Sequence, residues 1–349
     1  MLEFLSPSHS KNIGESLKHY YDNHDIIATL TTLSEKRLFV GTNSVFIVDR
    51  KGDVYARGSN YCGELGLGDT TDRRSFTLVP TPIPARCISI HPTSSAIVNN
   101  GIVYLCGYDE DTHTNRSTFA SFPTPEPILF TSRTLLLTTS GKLVTWGGET
   151  ITFPPHVTTV TEGDCHCLML TAEGKVYGSG SNYGGRMGMG RDEILDTSPT
   201  LIPTPEPILF MTAGSRHTFL ISTTGRLYAT GYNDDGQLGL GDTYNRFSFT
   251  LVPTPELVRY VTSSHNHTFI ISVTGRLYCC GSNFNGQLGL GDTDDRSSFT
   301  FVPTPEAVAC VETGYRDTYL LSVSERVYCS GGLPMCNGIV ENTSVFTLV

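Results

Sequence analysis

A forty-residue stretch of this chain recurs almost unchanged fifty residues further on. His217–Glu256 reads HTFLISTTGRLYATGYNDDGQLGLGDTYNRFSFTLVPTPE, and His267–Glu306 reads HTFIISVTGRLYCCGSNFNGQLGLGDTDDRSSFTFVPTPE. Self-similarity at such a period restricts the fold to stacked supersecondary units, none of which buries its apolar faces alone. More divergent copies lie on the N-terminal side of this pair, and one follows it. The glycine that closes the L-Y-x-x-G strand recurs as Gly58, Gly107, Gly147, Gly180, Gly231, Gly281 and Gly331, so there are seven copies. The two intervals flanking Gly147 are shortened.

Each copy resolves into short strands. HTFLIS or HTFIIS precedes a T-G-R turn and RLYATG or RLYCCG follows it, with glycine where a tight hairpin needs positive φ. FTLV and its relatives supply a third strand, ending at the recurrent P-T-P. A fourth follows the prolines, as in PILFMTA and LVRYVTS. Proline, lacking a ladder donor, belongs at the border of such a unit. Four antiparallel strands with both faces apolar need neighbours on either side, and seven such sheets around an axis supply them. The expected fold is all-β, a seven-bladed β-propeller of four-stranded antiparallel blades over residues 36–349. Residues 1–35 are expected to form an arm that latches the ring, and the last blade is expected to pack on the first.

The chain carries 24 basic against 34 acidic residues, a formal net charge of −10. That balance argues against nucleic acid or an anionic membrane as partner, since both require clustered Lys and Arg. No run reaches the roughly 18 apolar residues of a membrane helix, and the opening residues lack the pattern of a secretory signal. An intracellular location is expected, cytoplasmic rather than nuclear. Cys106, Cys279, Cys280 and Cys329 fall in one repeated strand as small core residues. Cys165 and Cys167 have no second pair to complete a zinc site.

After each closing glycine runs G-x-N-x-x-G-Q-L-G-L-G-D-T: GSNYCGELGLGDT from Gly58, GYNDDGQLGLGDT from Gly231, GSNFNGQLGLGDT from Gly281, and a divergent GSNYGGRMGMGRD from Gly180. Glycine at this density implies a sharp excursion off the strand. Its leucines are expected to plug into the next blade, and Asp69, Asp242 and Asp292 to satisfy local backbone N–H groups. Together with Met211–Ile221 (MTAGSRHTFLI), this phrase resembles the regulator of chromosome condensation (RCC1) repeat family over essentially residues 36–349.

The resemblance implies a propeller that binds proteins. The family's founding member is the nucleotide exchange factor of the small GTPase Ran. Exchange needs no acid–base chemistry, only tighter holding of the nucleotide-free GTPase. In that factor acidic and polar residues of these turns face Ran. The matching positions here are Tyr61, Glu110, Tyr183, Asp234 and Phe284, of which Glu110 and Asp234 keep an acidic group. The factor's β-wedge and basic tail have no counterpart in this sequence. One plant branch senses ultraviolet light through clustered tryptophans; this chain has Trp146 alone. The length is expected to leave no room for appended ubiquitin-ligase or kinase domains.

His166, His217 and His267 share one repeat position, which Asp317 takes in the seventh copy. Repetition assigns them a hydrogen bond to a neighbouring strand once per blade rather than metal binding. Asp234-Asp235 and Asp294-Asp295 fall in exposed turns and are expected to be solvated. No catalytic constellation is present, and no metal or cofactor is expected. The expected function is a monomeric protein-binding module or scaffold whose partner is a protein, with exchange activity on Ran or a related small GTPase as the alternative. Tyr61, Tyr183 and Phe284 are the candidate interface anchors, since glycine-flanked aromatics in turns make poor core residues.

Overall fold

The computed structural model describes residues 37–85, 87–109, 113–151, 156–192, 194–333 and 341–349. The arm expected over residues 1–35 lies outside them, as does Glu110. Seven four-stranded antiparallel sheets follow one another, each built from a contiguous piece of chain. Blade 1 comprises Leu38–Val40, Ser44–Val48, Val54–Gly58 and Arg73–Leu78; blade 5 comprises Ile208–Ala213, His217–Ser222, Leu227–Gly231 and Arg246–Leu251. Blade 7 ends on Glu341–Leu348. Its Tyr328 and Cys329 pair with Leu348 and Thr347, in the register by which Tyr228 and Ala229 pair with Leu251 and Thr250.

The structural unit is out of phase with the order in which the sequence repeat is read. PILFMTA pairs with the HTFLIS that follows it, with Met211 opposite Leu220 and Ala213 opposite Thr218. The strand after the prolines is therefore the innermost strand of the next blade, not the fourth of the preceding one. The P-T-P-E segment is the link between blades. Proline marks this border because the link leaves the outer edge of one sheet and crosses to the axial edge of the next, outside any ladder.

Both faces of the second strand are covered, so His217–Ser222, His267–Ser272 and Asp317–Ser322 are buried at every position. A separate apolar cluster fills each junction between blades. One example is Phe219, Leu238 and Val252 of blade 5 against Ile270, Cys280 and Phe299 of blade 6. The ring closes the same way, by Leu38 and Val45 of blade 1 packing on Tyr319, Leu321 and Cys329 of blade 7. Among the described residues no strand crosses from one of these two sheets into the other. Arg37 and Arg50 of blade 1 reach Glu325 of blade 7 at 2.5 and 2.7 Å.

Blades 2 and 3 depart from the pattern. In blade 2 the third and fourth strands, Ile102–Asp109 and Thr114–Phe122, stay paired up to Asp109 opposite Thr114 and replace the glycine-rich excursion with a long hairpin. In blade 3 the third strand, Leu143–Thr145, turns through Gly148 into an outer strand of two residues, Thr150–Ile151. No leucine plug is therefore available at the junction of blades 2 and 3. Trp146 takes up the space, edge-on to Phe122 at 5.4 Å and to His91 at 5.9 Å, with its Nε1–H 3.3 Å from the Ser132 carbonyl oxygen.

Candidate functional site

Two sets of loops share one face of the ring. The loop after each innermost strand sits against the excursion after the third strand. Ser59 N–H donates to Asn43 O, Tyr232 N–H to Arg216 O and Ser282 N–H to Asn266 O, at 2.9 to 3.0 Å. These approaches explain the closing glycine. Gly231 has φ 109°, and a Cβ there would lie 2.5 Å from the Arg216 oxygen. The short T-G-R turns and the P-T-P-E links occupy the opposite face.

Each excursion is built around a buried asparagine. Asn233 Nδ2 donates to the Asp242 carbonyl oxygen at 2.8 Å, and its Oδ1 accepts the Leu238 N–H at 2.9 Å. Asn60 and Asn283 repeat both bonds with Asp69 and Leu65, and with Asp292 and Leu288. Asp69, Asp242 and Asp292 accept the N–H of Thr71, Tyr244 and Asp294 on one oxygen. Their other oxygen pairs with Arg73, Arg246 and Arg296 at 2.6 to 2.7 Å. The Arg73 and Arg246 hydrogen bonds hold the Asp69 and Asp242 carboxyls below the usual carboxylate range. Leu65, Leu238 and Leu288 are fully buried against the following blade. Gln237 Oε1 folds back to accept the Asp235 N–H at 3.0 Å, and Gln287 does the same for Asn285 at 2.9 Å.

The apex of each turn is thus rigid, and what it carries projects into solvent. Tyr61 is 81% exposed, Phe284 80% and Tyr183 59%. Asp234, at the same position in blade 5, is exposed as well. The structure places these four on one face, spread over blades 1, 4, 5 and 6. Tyr244, two residues beyond Asp242, is 75% exposed on the same excursion as Asp234 and escaped the sequence reading. Its signal was an aromatic where blades 1 and 6 carry Thr71 and Asp294.

The histidines do not form a site. His166 Nε2 lies 3.2 Å from Thr218 Oγ1, and His267 Nε2 lies 3.0 Å from Thr318 Oγ1, each across a blade junction. Burial drives the imidazoles of His166, His217 and His267 down to about 3, which keeps them neutral. His217 is fully buried but makes no such bond. Among the described residues no group of His, Cys, Asp or Glu is arranged to hold a metal. The paired aspartates divide their roles: Asp295 caps the Asn283 N–H at 2.6 Å, whereas Asp294 is exposed. Burial, then the nearby Asp295 and Asp234, raise the Asp235 carboxyl. Among the described residues no helix is long and apolar enough to cross a membrane.

Around the axis the innermost strands and their loops enclose a cavity of about 620 Å³, to which all seven blades contribute. Arg133, Glu162, Asp164, His265 and Tyr315 are among the residues lining it. Ser215 Oγ meets His265 Nδ1 at 2.8 Å, and the His265 ring lies tilted against that of Tyr315, with centroids 4.7 Å apart.

The regulator of chromosome condensation (RCC1) repeat model matches residues 173–221, 224–271 and 274–315, and a second model of the same repeat matches 210–237 and 258–287. The chain is 27% identical to the ultraviolet-B receptor UVR8 of Arabidopsis thaliana over 260 residues, 63% of this chain and 58% of the receptor. It is 39% identical to the human X-linked retinitis pigmentosa GTPase regulator over 89 residues, 25% of this chain and 9% of that protein. The aligned region thus spans less than two thirds of either relative. Human WBSCR16 superposes with a TM-score of 0.69 at 15% identity, covering 80% of this chain and 86% of that one. Prp20p of Saccharomyces cerevisiae, whose structure was described with its binding to Gsp1p and histones, superposes with a TM-score of 0.53 at 18% identity. That match covers 89% of this chain and 76% of Prp20p, and at these identities both structures speak for the fold alone. The repeat is matched over residues 173–315, from the turn before the third strand of blade 4 to the first strand of blade 7, so the chain carries RCC1 repeats within its seven-bladed β-propeller.

Proposed function

We propose that this chain is a protein-binding module that uses the face bearing the glycine-rich excursions. Tyr61, Tyr183 and Phe284 anchor the partner, and Asp234 adds a polar contact. One observation carries the reading: three large aromatics stand out from turns that hydrogen bonds hold rigid, all on the same face. Fixed aromatics offer contact area at little cost in conformational freedom, which is what interface hot spots exploit. The test is affinity capture from cells that express the protein, comparing wild type with Tyr61→Ala/Tyr183→Ala/Phe284→Ala. Loss of the captured partner is expected. The control Leu78→Ala/Leu251→Ala/Leu348→Ala, on the exposed outer strands, is expected to retain it. Equal capture by the aromatic variant would sink the proposal.

The second reading is nucleotide exchange on a small GTPase. It is favoured by Asp234, an acidic group held at the turn apex, and by the fold shared with Prp20p and its Gsp1p binding. Release of fluorescent GDP from recombinant Ran tests it. Acceleration by orders of magnitude would establish exchange, and none at micromolar protein would reject it for Ran. The blade 3 turn at Gly148 offers no protruding hairpin for the purpose among the described residues. A cytoplasmic location and a monomeric ring belong to the same proposal; imaging of a fluorescent fusion and sedimentation check them.

A further inference from the structure

Most exposed arginines of this acidic chain are already engaged. Arg50 pairs with Glu325, and Arg226, Arg276 and Arg326 pair with Glu206, Glu256 and Glu306 on the opposite face. Arg74 and Arg191 have partners too. Arg133, Arg216 and Arg316 are exposed and have no ion pair among the described residues. All three sit on the loops that follow the innermost strands, in blades 3, 5 and 7, around the mouth of the axial cavity. Arg133 lines that cavity, as do Ser215 and Tyr315, the residues immediately before Arg216 and Arg316. Two of the guanidinium groups rest on aromatic rings: Arg216 lies 5.4 Å from the centroid of Tyr232, and Arg316 lies 5.2 Å from that of Tyr315. Such stacking orients a cation while leaving its N–H donors free.

Counter-charge at the mouth is limited. Glu162 is tied to blade 3 by Ser132 Oγ at 2.9 Å and the Thr134 N–H at 3.3 Å. Among the described residues lining it, Asp164 is the other acid, exposed on blade 4. Outside the mouth the sign reverses. The excursions of blades 5 and 6 carry Asp234, Asp235, Asp294 and Asp295 beside Phe284. The mouth is therefore a basic centre flanked on the side of blades 5 and 6 by an acidic and aromatic sector.

We propose that the axial mouth receives a short acidic segment of a protein partner, whose carboxylates pair with Arg133, Arg216 and Arg316. This rests on the protein-binding reading above and names the chemistry of the partner. A long polyphosphate chain would have to cross the acidic sector of blades 5 and 6, whereas a short peptide segment entering along the axis meets the three cations, with Glu162 already hydrogen-bonded and Asp164 exposed beside them. Arg presents a planar fork of donors matched to a carboxylate, so two guanidinium groups oriented by aromatic rings and a third at the mouth give both affinity and register.

Fluorescence anisotropy with the full chain and a fluorescein-labelled octaglutamate peptide tests the proposal. Octalysine and a twelve-nucleotide single-stranded DNA serve as competing chemistries. Octaglutamate is expected to bind, to weaken as salt is raised, and to weaken about tenfold in Arg133→Gln/Arg216→Gln/Arg316→Gln. Arg226→Gln/Arg276→Gln/Arg326→Gln removes the same charge from the opposite face and is expected to bind as wild type does. Thermal unfolding of both variants confirms that the ring is intact. The proposal is overturned by absent octaglutamate binding at low salt, by undiminished binding to the mouth variant, or by tighter binding of DNA or octalysine. Partner capture that depends on Tyr61, Tyr183 and Phe284, together with no octaglutamate binding, would overturn the acidic-segment inference alone. Capture indifferent to those aromatics would overturn the broader reading.

Discussion

Replacing Leu238 by alanine removes a plug rather than an ordinary core side chain. Leu238 is fully buried, and although it belongs to blade 5 it packs with Cys280 and Phe299 of blade 6. Gly239 is already crowded by Phe299, where an ideal Cβ would lie 2.5 Å from Cε2, so the backbone cannot move in to fill the space. A Leu→Ala change at such a site costs about 3 kcal/mol, toward 5 where the site cannot collapse. With a urea dependence of about 3 kcal/mol per M, the midpoint falls by about 1 M. Trp146 supplies the assay, because it lies at the junction of blades 2 and 3, away from the substitution. If the closed ring unfolds as one unit, its fluorescence and the far-ultraviolet circular dichroism shift together. Leu348→Ala, at a 58% exposed position, provides the baseline and should change stability by less than about 0.5 kcal/mol. A loss below about 1 kcal/mol would refute the plug. An unshifted Trp146 transition beside a shifted dichroism transition would refute the cooperative ring.

Other consequences can be checked in the same preparations. Burial raises the Asp317 carboxyl to about 7, so the folded ring holds a proton that the unfolded chain gives up near 4. Stability from this group is complete below about pH 4, falls as pH rises to about 7 and is flat above; Asp317→Asn should flatten urea midpoints measured between pH 5 and 8, and an unchanged slope would contradict this. Gly281→Ala should destabilise by several kcal/mol, since φ is 101° and a Cβ would lie 2.3 Å from the Asn266 oxygen; a thermal midpoint within 2 °C of wild type would count against the account. Native thiol labelling followed by peptide mapping should find Cys165 reactive and Cys106, Cys279 and Cys280 protected, because burial pushes those three thiols well up.

The architecture was legible because repetition exposes it. A glycine seven times over, a turn with fixed spacing and a proline-bounded link state the number and kind of blade without any tertiary information. The phase of the blade was not legible, because a periodic sequence has no marked origin; only the pairing of Met211 with Leu220 shows which side of the prolines begins a sheet. The aromatic turn positions could be read because they break an otherwise constant phrase. Arg133, Arg216 and Arg316 could not: Arg216 and Arg316 share the position before His217 and Asp317, but Cys165 and Asn266 take it in blades 4 and 6, and only the axis brings Arg133 to the same mouth. Trp146 was read as a lone chromophore, while its work is steric, filling the junction that the absent plug leaves open. Glu110 lies outside the described residues.

Among the described residues every sheet in the ring is assembled from its own stretch of chain, and adjacent sheets meet through side chains and through isolated backbone bridges from the excursions, such as Leu240 opposite Ser298 and Leu290 opposite Val345. A blade is therefore a self-contained cassette, about fifty residues running from one proline link to the next. Copying such a cassette leaves the strand register within every other sheet untouched and repeats the same bridge to the next blade, which makes recent duplication the simplest origin for the near-identical fifth and sixth blades. The same independence makes each proline link a natural place to cut and rejoin the chain. A circular permutant opened between Glu256 and Leu257 would keep all seven sheets whole.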